Sequence, residues 1–268
     1  MERRAFLAAS TAAALAHSET HAAGSGSGGA PGTSGSPLIL ELRRYRLRNG
    51  PMAARFGAYA KDALVPALGR AGIAPVGAWN VSFGSSSPTL HLLLPHGDAE
   101  SVVTLETRLG ADTEYRRAAG SFLALPPSDP PYERCDSSLH ATVPTLPGIA
   151  KPTGASAAAS RVFELRTYHS PGEPAGRKKI EMFEAGGELA IFARLGFHTV
   201  FFSRNVVGAG LPSLTYMLAF ADVAAREKAW IAFREDPEWV KLRDQPANAD
   251  IVSGIDAALL RPTDFSQL

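Results

Sequence analysis

The feature that most constrains the fold is an alternating stretch that occurs twice in the chain. Residues 161–168 read RVFELRTY, and residues 38–45 read LILELRRY. The polar members correspond one to one: Glu41 with Glu164, Arg43 with Arg166, and Tyr45 with Tyr168. A period of two predicts a β-strand, and successive side chains leave a strand on opposite faces. Two strands that carry the same polar triplet on one face predict two copies of one domain.

The elements that follow repeat as well, in the order β-α-β-β-α-β. In the first half we predict strands over 38–45, 76–83, 90–94 and 138–143, with helices over 52–70, 99–109 and 112–117. In the second half we predict strands over 161–169, 198–204, 214–220 and 251–259, with helices over 177–195 and after Asp222. The halves align without a gap from Pro88 and Pro212 through Tyr115 and Trp239. Such a recurrence indicates internal duplication.

These patterns divide the chain into four parts. Residues 1–36 are a leader and a flexible spacer, residues 37–146 a degenerate first repeat, residues 147–160 a linker, and residues 161–268 the second repeat. The linker is rich in Pro, Gly, Ala and Ser, a composition that is typical of segments between helices and strands.

The leader has the parts of an export signal. Arg3 and Arg4 precede Phe6, a weakly apolar run follows, and residues 24–36 are rich in Gly and Ser. The arrangement resembles a bacterial twin-arginine signal and predicts a periplasmic or otherwise exported protein. The alternative is a cytoplasmic protein with an Ala-rich tail.

Composition and motifs exclude several classes of function. A formal net charge of +1 gives no basic surface for nucleic acid. The single cysteine, Cys135, allows no internal disulfide, and no apolar run reaches the ~18 residues of a transmembrane helix. The histidines beyond the leader lack metal-site spacing, and nucleotide-binding and nucleophile-elbow motifs are missing. We therefore predict no metal and no cofactor.

Three segments of the second half carry a family resemblance. Residues 164–168 (ELRTY), 226–230 (REKAW) and 233–239 (FREDPEW) resemble the NIPSNAP family. The first half keeps ELRRY at 41–45 but has Tyr115 in place of Trp239. The resemblance implies an α+β fold of the dimeric α/β-barrel type, in which two tandem ferredoxin-like (βαββαβ) repeats pair their sheets within one chain. It implies no reaction.

The FREDPEW segment has a structural interpretation. Asp236 is a helix N-cap, and Pro237 suits the first helical position because that position needs no N–H partner. Trp239 and Trp230 can then anchor their helices on the core. We assign these residues to structure rather than to chemistry.

The candidates for a ligand pocket are polar residues on predicted strands. They are Glu41, Arg43, Tyr45, His91, Glu164, Arg166 and Tyr168. We expect the two triplets to point into the barrel, opposite Phe163 and Leu165. The alternative is that each Glu–Arg pair is structural and fixes the interface between the repeats, since a buried charge needs a partner.

Three functions remain open: a NIPSNAP-type barrel for ligand binding or interaction, a cofactor-independent enzyme resembling monooxygenases of the same fold, and a purely structural oligomeric module. The candidate partners are a small molecule in the barrel and further copies of the chain as a homo-oligomer. Nucleic acid is not expected as a partner.

Overall fold

The computed structural model describes residues 37–84, 86–153 and 160–268, so the predicted leader and spacer, and residues 154–159 of the predicted linker, lie outside the described residues. The strands are β1 (Ile39–Arg46), β2 (Gly77–Phe83), β3 (Thr89–His96), β4 (Arg134–Thr142), β5 (Val162–His169), β6 (His198–Val207), β7 (Ser213–Phe220) and β8 (Gly254–Pro262). The helices are α1 (Pro51–Tyr59), α2 (Val65–Arg70), α3 (Ala99–Val103), α4 (Leu105–Ala111), α5 (Thr113–Leu123), α6 (Glu173–Phe183), α7 (Glu188–Arg194), α8 (Val223–Glu235) and α9 (Pro237–Arg243).

The three segments predicted as helices over 52–70, 99–109 and 177–195 are each divided into two helices, and the breaks in the first and the last have a clear cause. Between α1 and α2 the backbone makes a π-helical turn over Ala60–Leu64, directly before Pro66. Proline lacks the N–H that an α-helix requires and crowds the carbonyl four residues back, so a wider turn accommodates it. In the second half, α6 and α7 are separated by Gly187, whose φ of 90° lies in the left-handed region that favours glycine.

The eight strands close into one antiparallel barrel. Their order around the barrel is β1-β3-β2-β8-β5-β7-β6-β4. Within each half the fourth strand pairs with the first, the first with the third, and the third with the second. The halves meet where β2 pairs with β8 and β4 with β6. Among the strands that the structure describes, closure leaves no edge open to pair with another chain.

Apolar side chains form three cores. One lies between the first half of the sheet and its helices and contains Phe56 and Leu92. A second core, with Phe183 and Tyr216, lies between the second half of the sheet and its helices. The third fills part of the barrel interior with strand residues from both halves, and Trp79 and Phe163 meet there with ring centroids 5.3 Å apart. Side chains therefore fill this part of the barrel interior, and the barrel is not an open channel along its whole length.

The strand faces are opposite to the orientation that we predicted for the triplets. Leu40, Phe163 and Leu165 pack in the barrel interior, whereas Tyr45 and Tyr168 pack against the helices. A period of two separates the two faces of a strand, but it does not say which face meets the helices when both are buried. In the second half a helix supplies the partners, since Arg226 and Trp230 of α8 donate hydrogen bonds to Glu164.

In the part of the chain that the structure describes, every helix is too short or too polar to span a membrane.

Candidate functional site

The barrel interior has an apolar end and a polar end. At the polar end a cavity of about 350 Å³ opens between the strands. Its lining includes Leu42 and Leu165 on the apolar side, polar side chains from every strand except β2, and the loop 208–210. The central polar residues are His91, Ser138, His140, Thr167, His169 and Asn205. Of the seven residues predicted to form a ligand pocket, only His91 lines this cavity.

His91, on β3, is buried against the cavity with an unfilled hydrogen-bonding capacity. The residue is 7% exposed, and its Nδ1 is buried without a hydrogen-bond partner. Burial, together with the nearby positive charge of Arg44, lowers the pKa of His91 to about 4. The ring is therefore neutral at physiological pH, with one nitrogen able to donate and the other able to accept.

His140, on β4, is held at both ring nitrogens. Its Nε2 lies 2.8 Å from Ser138 Oγ, and its Nδ1 lies 2.7 Å from Asn205 Oδ1. Asn205 in turn donates from Nδ2 to Ser213 Oγ at 2.8 Å. Burial lowers the pKa of His140 to about 4, although the bond to Asn205 acts in the opposite direction. This imidazole is also neutral near pH 7.

His169, at the end of β5, has a raised pKa, in contrast to His91 and His140. Its Nδ1 lies 2.9 Å from the carbonyl oxygen of Gly210, and its Nε2 lies 3.0 Å from Asp256 Oδ2. The Gly210 carbonyl, and then the Asp256 carboxylate, raise the pKa of His169. The cavity thus combines two neutral imidazoles with a third whose cationic form is stabilised.

At the rim, charged groups from two neighbouring strands pair across the ladder. Arg44 on β1 donates from Nη2 to Asp136 Oδ2 on β4 at 2.8 Å, and Arg46 shares the same oxygen at 2.9 Å. The side chains of Arg44 and Asp136 are 38% and 44% exposed, so solvent screens this pair. Its effect is to place positive charge at the entrance.

The second polar triplet forms a network on the helix side of the sheet. Glu164 is fully buried and accepts hydrogen bonds from Arg166 at 2.8 Å, Arg226 at 2.8 and 2.9 Å, and Trp230 Nε1 at 2.7 Å. Burial alone would raise the pKa of Glu164, but these bonds from Arg226, Trp230 and Arg166 outweigh it and lower the pKa. The guanidinium of Arg166 also stacks 4.8 Å from the Trp230 ring. The members of this network lie outside the lining of the polar cavity.

The first triplet is its counterpart. Glu41 accepts from Arg43 Nε at 2.7 Å and from Ser137 Oγ at 2.7 Å, and His96 Nε2 lies 3.3 Å away. Burial opposes ionisation, but His96, Arg43 and Ser137 together lower the pKa of Glu41 to about 2. Tyr45 packs on Phe56 with ring centroids 4.6 Å apart. The expectation that this triplet faces the barrel interior was wrong as well, although the partners of Glu41 come from its own strand and the two neighbouring strands.

The residues of the FREDPEW segment lie at the start of α9. The side chain of Asp236 accepts from the N–H groups of Glu238 and Trp239, each at 3.0 Å, and pairs with Arg194 at 2.9 Å. Pro237 occupies the first turn, and Trp239 is half-buried on Phe233 with ring centroids 4.4 Å apart. These contacts join α7, α8 and α9, and they lie outside the lining of the polar cavity.

Sequence reasoning missed most of the cavity. Ser138 and His140 are two residues apart on β4, a spacing that places both on one face of a strand. That signal was available, whereas Asn205 and His169 come from strands that only the barrel closure brings near them. Within the described residues, no group of three or more His, Cys, Asp or Glu side chains is arranged to hold a metal ion.

Comparison with known proteins places the chain in a family. The NIPSNAP family model matches residues 40–125 and again residues 163–267. The chain belongs to the NIPSNAP family. The double match covers most of the chain and corresponds to the two halves of the barrel. The comparison with curated proteins finds no match.

Among the solved structures that this NIPSNAP protein resembles, some match most of its length and others match one half. A candidate monooxygenase from Fusobacterium nucleatum is 10% identical, with a TM-score of 0.57 over 85% of this chain and 93% of its own. A candidate monooxygenase from Lactobacillus acidophilus is 8% identical, with a TM-score of 0.54 over 85% and 94%. A NIPSNAP-like domain protein from Burkholderia xenovorans is 20% identical over 41% of this chain and 91% of its own, with a TM-score of 0.37. At these identities the first two likenesses show a shared fold.

Proposed function

We propose that this NIPSNAP protein binds a small organic molecule in the polar end of its barrel. The observation that carries the proposal is His91, a buried imidazole at the cavity that makes no hydrogen bond with the protein at Nδ1. Because Nδ1 has almost no exposed surface, a ligand would reach it by turning the His91 ring, and the partner that it supplies would remove a cost of about 1–3 kcal/mol.

The cavity limits the kind of ligand. About 350 Å³ is at the small end of the range for ligand pockets, which fits a single-ring compound. Leu42 and Leu165 offer apolar contact, while the three imidazoles offer donors and acceptors. A ring that carries oxygen substituents, such as a phenol, hydroquinone or quinone, satisfies both requirements.

Native mass spectrometry and calorimetric titration with hydroquinone test the proposal. We expect a copurified molecule or saturable hydroquinone binding in the wild type, and loss of both in His91→Leu, which keeps the volume but removes the polar ring. The matched control is His198→Leu, because His198 lies outside the lining of this cavity and bonds to the carbonyl of Ala150. Equal binding by the wild type and His91→Leu would refute the assignment.

A second candidate function is oxygenation without a cofactor. It is favoured by the fold shared with two candidate monooxygenases and by the neutral imidazole of His91 at the cavity, a group that can accept a proton from a phenol. Consumption of oxygen in the presence of hydroquinone, measured with an oxygen electrode, separates an oxygenase from a binding protein. Binding without oxygen uptake would leave the first proposal standing alone.

We also infer that the two halves are tandem ferredoxin-like repeats, residues 37–146 and 161–268, joined by the linker 147–160. The same pairing of strands in each half and the double family match support this inference. Superposition of crystal structures of the two halves would test it, and unlike paths of the helices over the sheets would contradict it.

Export through the twin-arginine route is a proposal that rests on Arg3 and Arg4 ahead of an apolar run. Replacing both arginines by lysine should leave uncleaved precursor in the cytoplasm, as seen by fractionation and immunoblotting. An uncleaved, cytoplasmic wild-type protein would rule export out.

A further inference from the structure

Ser138, His140 and Asn205 form a hydrogen-bond chain whose proton positions follow from the orientation of the Asn205 amide. Asn205 donates from Nδ2 to Ser213, so its Oδ1 faces His140 Nδ1. Because an amide oxygen can only accept, Nδ1 carries the ring proton of the neutral imidazole. Nε2 of His140 then holds a lone pair and accepts the hydroxyl proton of Ser138 at 2.8 Å.

This order of groups is the one that activates a nucleophile. A hydroxyl within hydrogen-bond reach of an imidazole, with a third group that orients the imidazole, is the pattern of nucleophile–base pairs on many unrelated folds. Asparagine serves as the orienting group in cysteine–histidine–asparagine enzymes. Here the amide of Asn205 lies between the imidazole of His140 and the hydroxyl of Ser213 and contacts both.

The three side chains stand on rigid elements. Ser138 and His140 share one face of β4, and His140 pairs directly with Asn205 across the β4–β6 ladder. Sites on strands are held more tightly than sites on loops, so the distances along the chain are kept without a bound ligand.

The space around the Ser138 hydroxyl is open on the side of the cavity. A Cβ atom at Gly208 would lie 3.0 Å from Ser138 Cβ, so the glycine keeps this approach clear. Ala209 and Gly210 line the same cavity, and among the described residues their backbone N–H groups donate no hydrogen bond. N–H groups of this kind can donate to a negatively charged oxygen during acyl transfer.

We propose that Ser138 is a nucleophile that cleaves small esters, with His140 as its general base and Asn205 as a positioning residue. The inference rests on the proposed function in one respect, since the same polar cavity must accept the substrate. Its size restricts the substrate to esters of short acids or of single-ring phenols.

The reaction balances without a further reagent beyond water. The Ser138 oxygen bonds to the ester carbonyl carbon while its proton moves to His140 Nε2. The carbon–oxygen bond to the leaving alcohol then breaks, and the alcohol takes that proton. Water next attacks the acyl carbon and gives a proton to His140; the bond to Ser138 breaks, and the serine oxygen takes the proton back. The products are a carboxylic acid and an alcohol.

Labelling with a fluorophosphonate probe and turnover of p-nitrophenyl acetate test this assignment. We expect one phosphonyl adduct on the peptide that contains Ser138, no adduct in Ser138→Ala, and labelling slower by ~100-fold in His140→Gln. Ser121→Ala is the matched control, because Ser121 is exposed on α5, away from the cavity, and should label like the wild type. An adduct elsewhere, or equal labelling of the wild type and His140→Gln, would overturn the proposal.

Two variants of Asn205 separate positioning from general stability. Asn205→Asp preserves an acceptor for His140 Nδ1 and should retain most of the labelling rate, whereas Asn205→Leu should lose it at a similar melting temperature. Equal rates in the two variants would count against the positioning role. Retention of a bound molecule by a protein that does not label would reject the nucleophile but not the binding function, and absence of both would reject the two together.

Discussion

At the scale of single residues, the Glu164 network shows how a buried charge is stabilised. Four hydrogen bonds reach its two oxygens, and two of them come from the guanidinium of Arg226 on α8. The carboxylate therefore stays ionised although it is fully buried. The Glu164 carboxylate therefore joins strand β5 to helix α8.

Arg226→Ala should destabilise the protein by roughly 2–3 kcal/mol, because it leaves a buried carboxylate with half of its donors. The measurement is the free energy of unfolding in urea. Lys228→Ala is the control, since it removes the same charge from an exposed position on the same helix and should cost under about 0.5 kcal/mol. Equal effects of the two substitutions would show that the Glu164 network does not stabilise the fold.

The two neutral histidines make stability depend on pH. Burial lowers the pKa values of His91 and His140 to about 4 in the folded state, so the unfolded chain binds more protons between pH 4 and 6.5. Stability should therefore fall as the pH drops through this range, by at most roughly 3 kcal/mol for each histidine. His169, whose pKa is raised, acts in the opposite direction and weakens the fold as the pH rises.

Urea unfolding at pH 7, 6 and 5 measures this dependence above the range in which most carboxylates titrate. His91→Leu combined with His140→Gln should flatten the curve. A wild-type curve that is flat between pH 7 and 5 would contradict the low pKa values.

How much of the site could be predicted from the sequence also differs by residue. The pairing of Glu with Arg in each triplet follows from the cost of an isolated buried charge, and it is present at 2.7 Å in one half and 2.8 Å in the other. The direction of the triplets could not be predicted, because Arg226 is sixty-two residues from Glu164 in the chain. Ser138 and His140 carried a strand signal, but their neighbours arrive only through folding.

At the scale of elements, the restart of the helix at α9 ties three helices together. Asp236 caps the new helix, Arg194 reaches it from α7, and Trp239 packs on Phe233 of α8. The type and order of strands and helices were predictable here, since cap, proline and aromatic residue occur at fixed positions. Breaks within helices were harder, because the π-helical turn and the left-handed Gly187 depend on how the chain packs on the sheet.

Trp239→Ala should lower the free energy of unfolding by about 2 kcal/mol, less than the cost for a fully buried aromatic because the indole is half-buried. Thermal unfolding followed by circular dichroism gives the change. Ile231→Ala on α8 serves as the control, since Ile231 is 44% exposed and should have little effect. A melting temperature that is the same for the wild type and Trp239→Ala would show that the indole does not anchor α9.

At the scale of the whole molecule, the barrel makes the two halves depend on each other. Each half contributes two strands whose outer edges are paired only by the other half, through β2 with β8 and β4 with β6. The interior core contains side chains from both halves. The duplication was evident in the sequence and the closed barrel followed from the family resemblance, but the polar cavity at one end was not foreseen.

A protease site inserted between residues 153 and 160 would test this dependence. After cleavage the two pieces should migrate as one particle in size-exclusion chromatography, because two strand ladders and the interior core still join them. The uncut protein is the control. Pieces that separate without denaturant would show that the halves are independent domains.

The central claim is that the polar end of the barrel is a ligand site, and a crystal structure of the purified protein soaked with hydroquinone tests it most directly. We predict electron density for an organic molecule in the 350 Å³ cavity, within hydrogen-bond distance of the His91 ring. Density for water alone in that cavity, with the His91 ring unchanged at saturating hydroquinone, would contradict the claim.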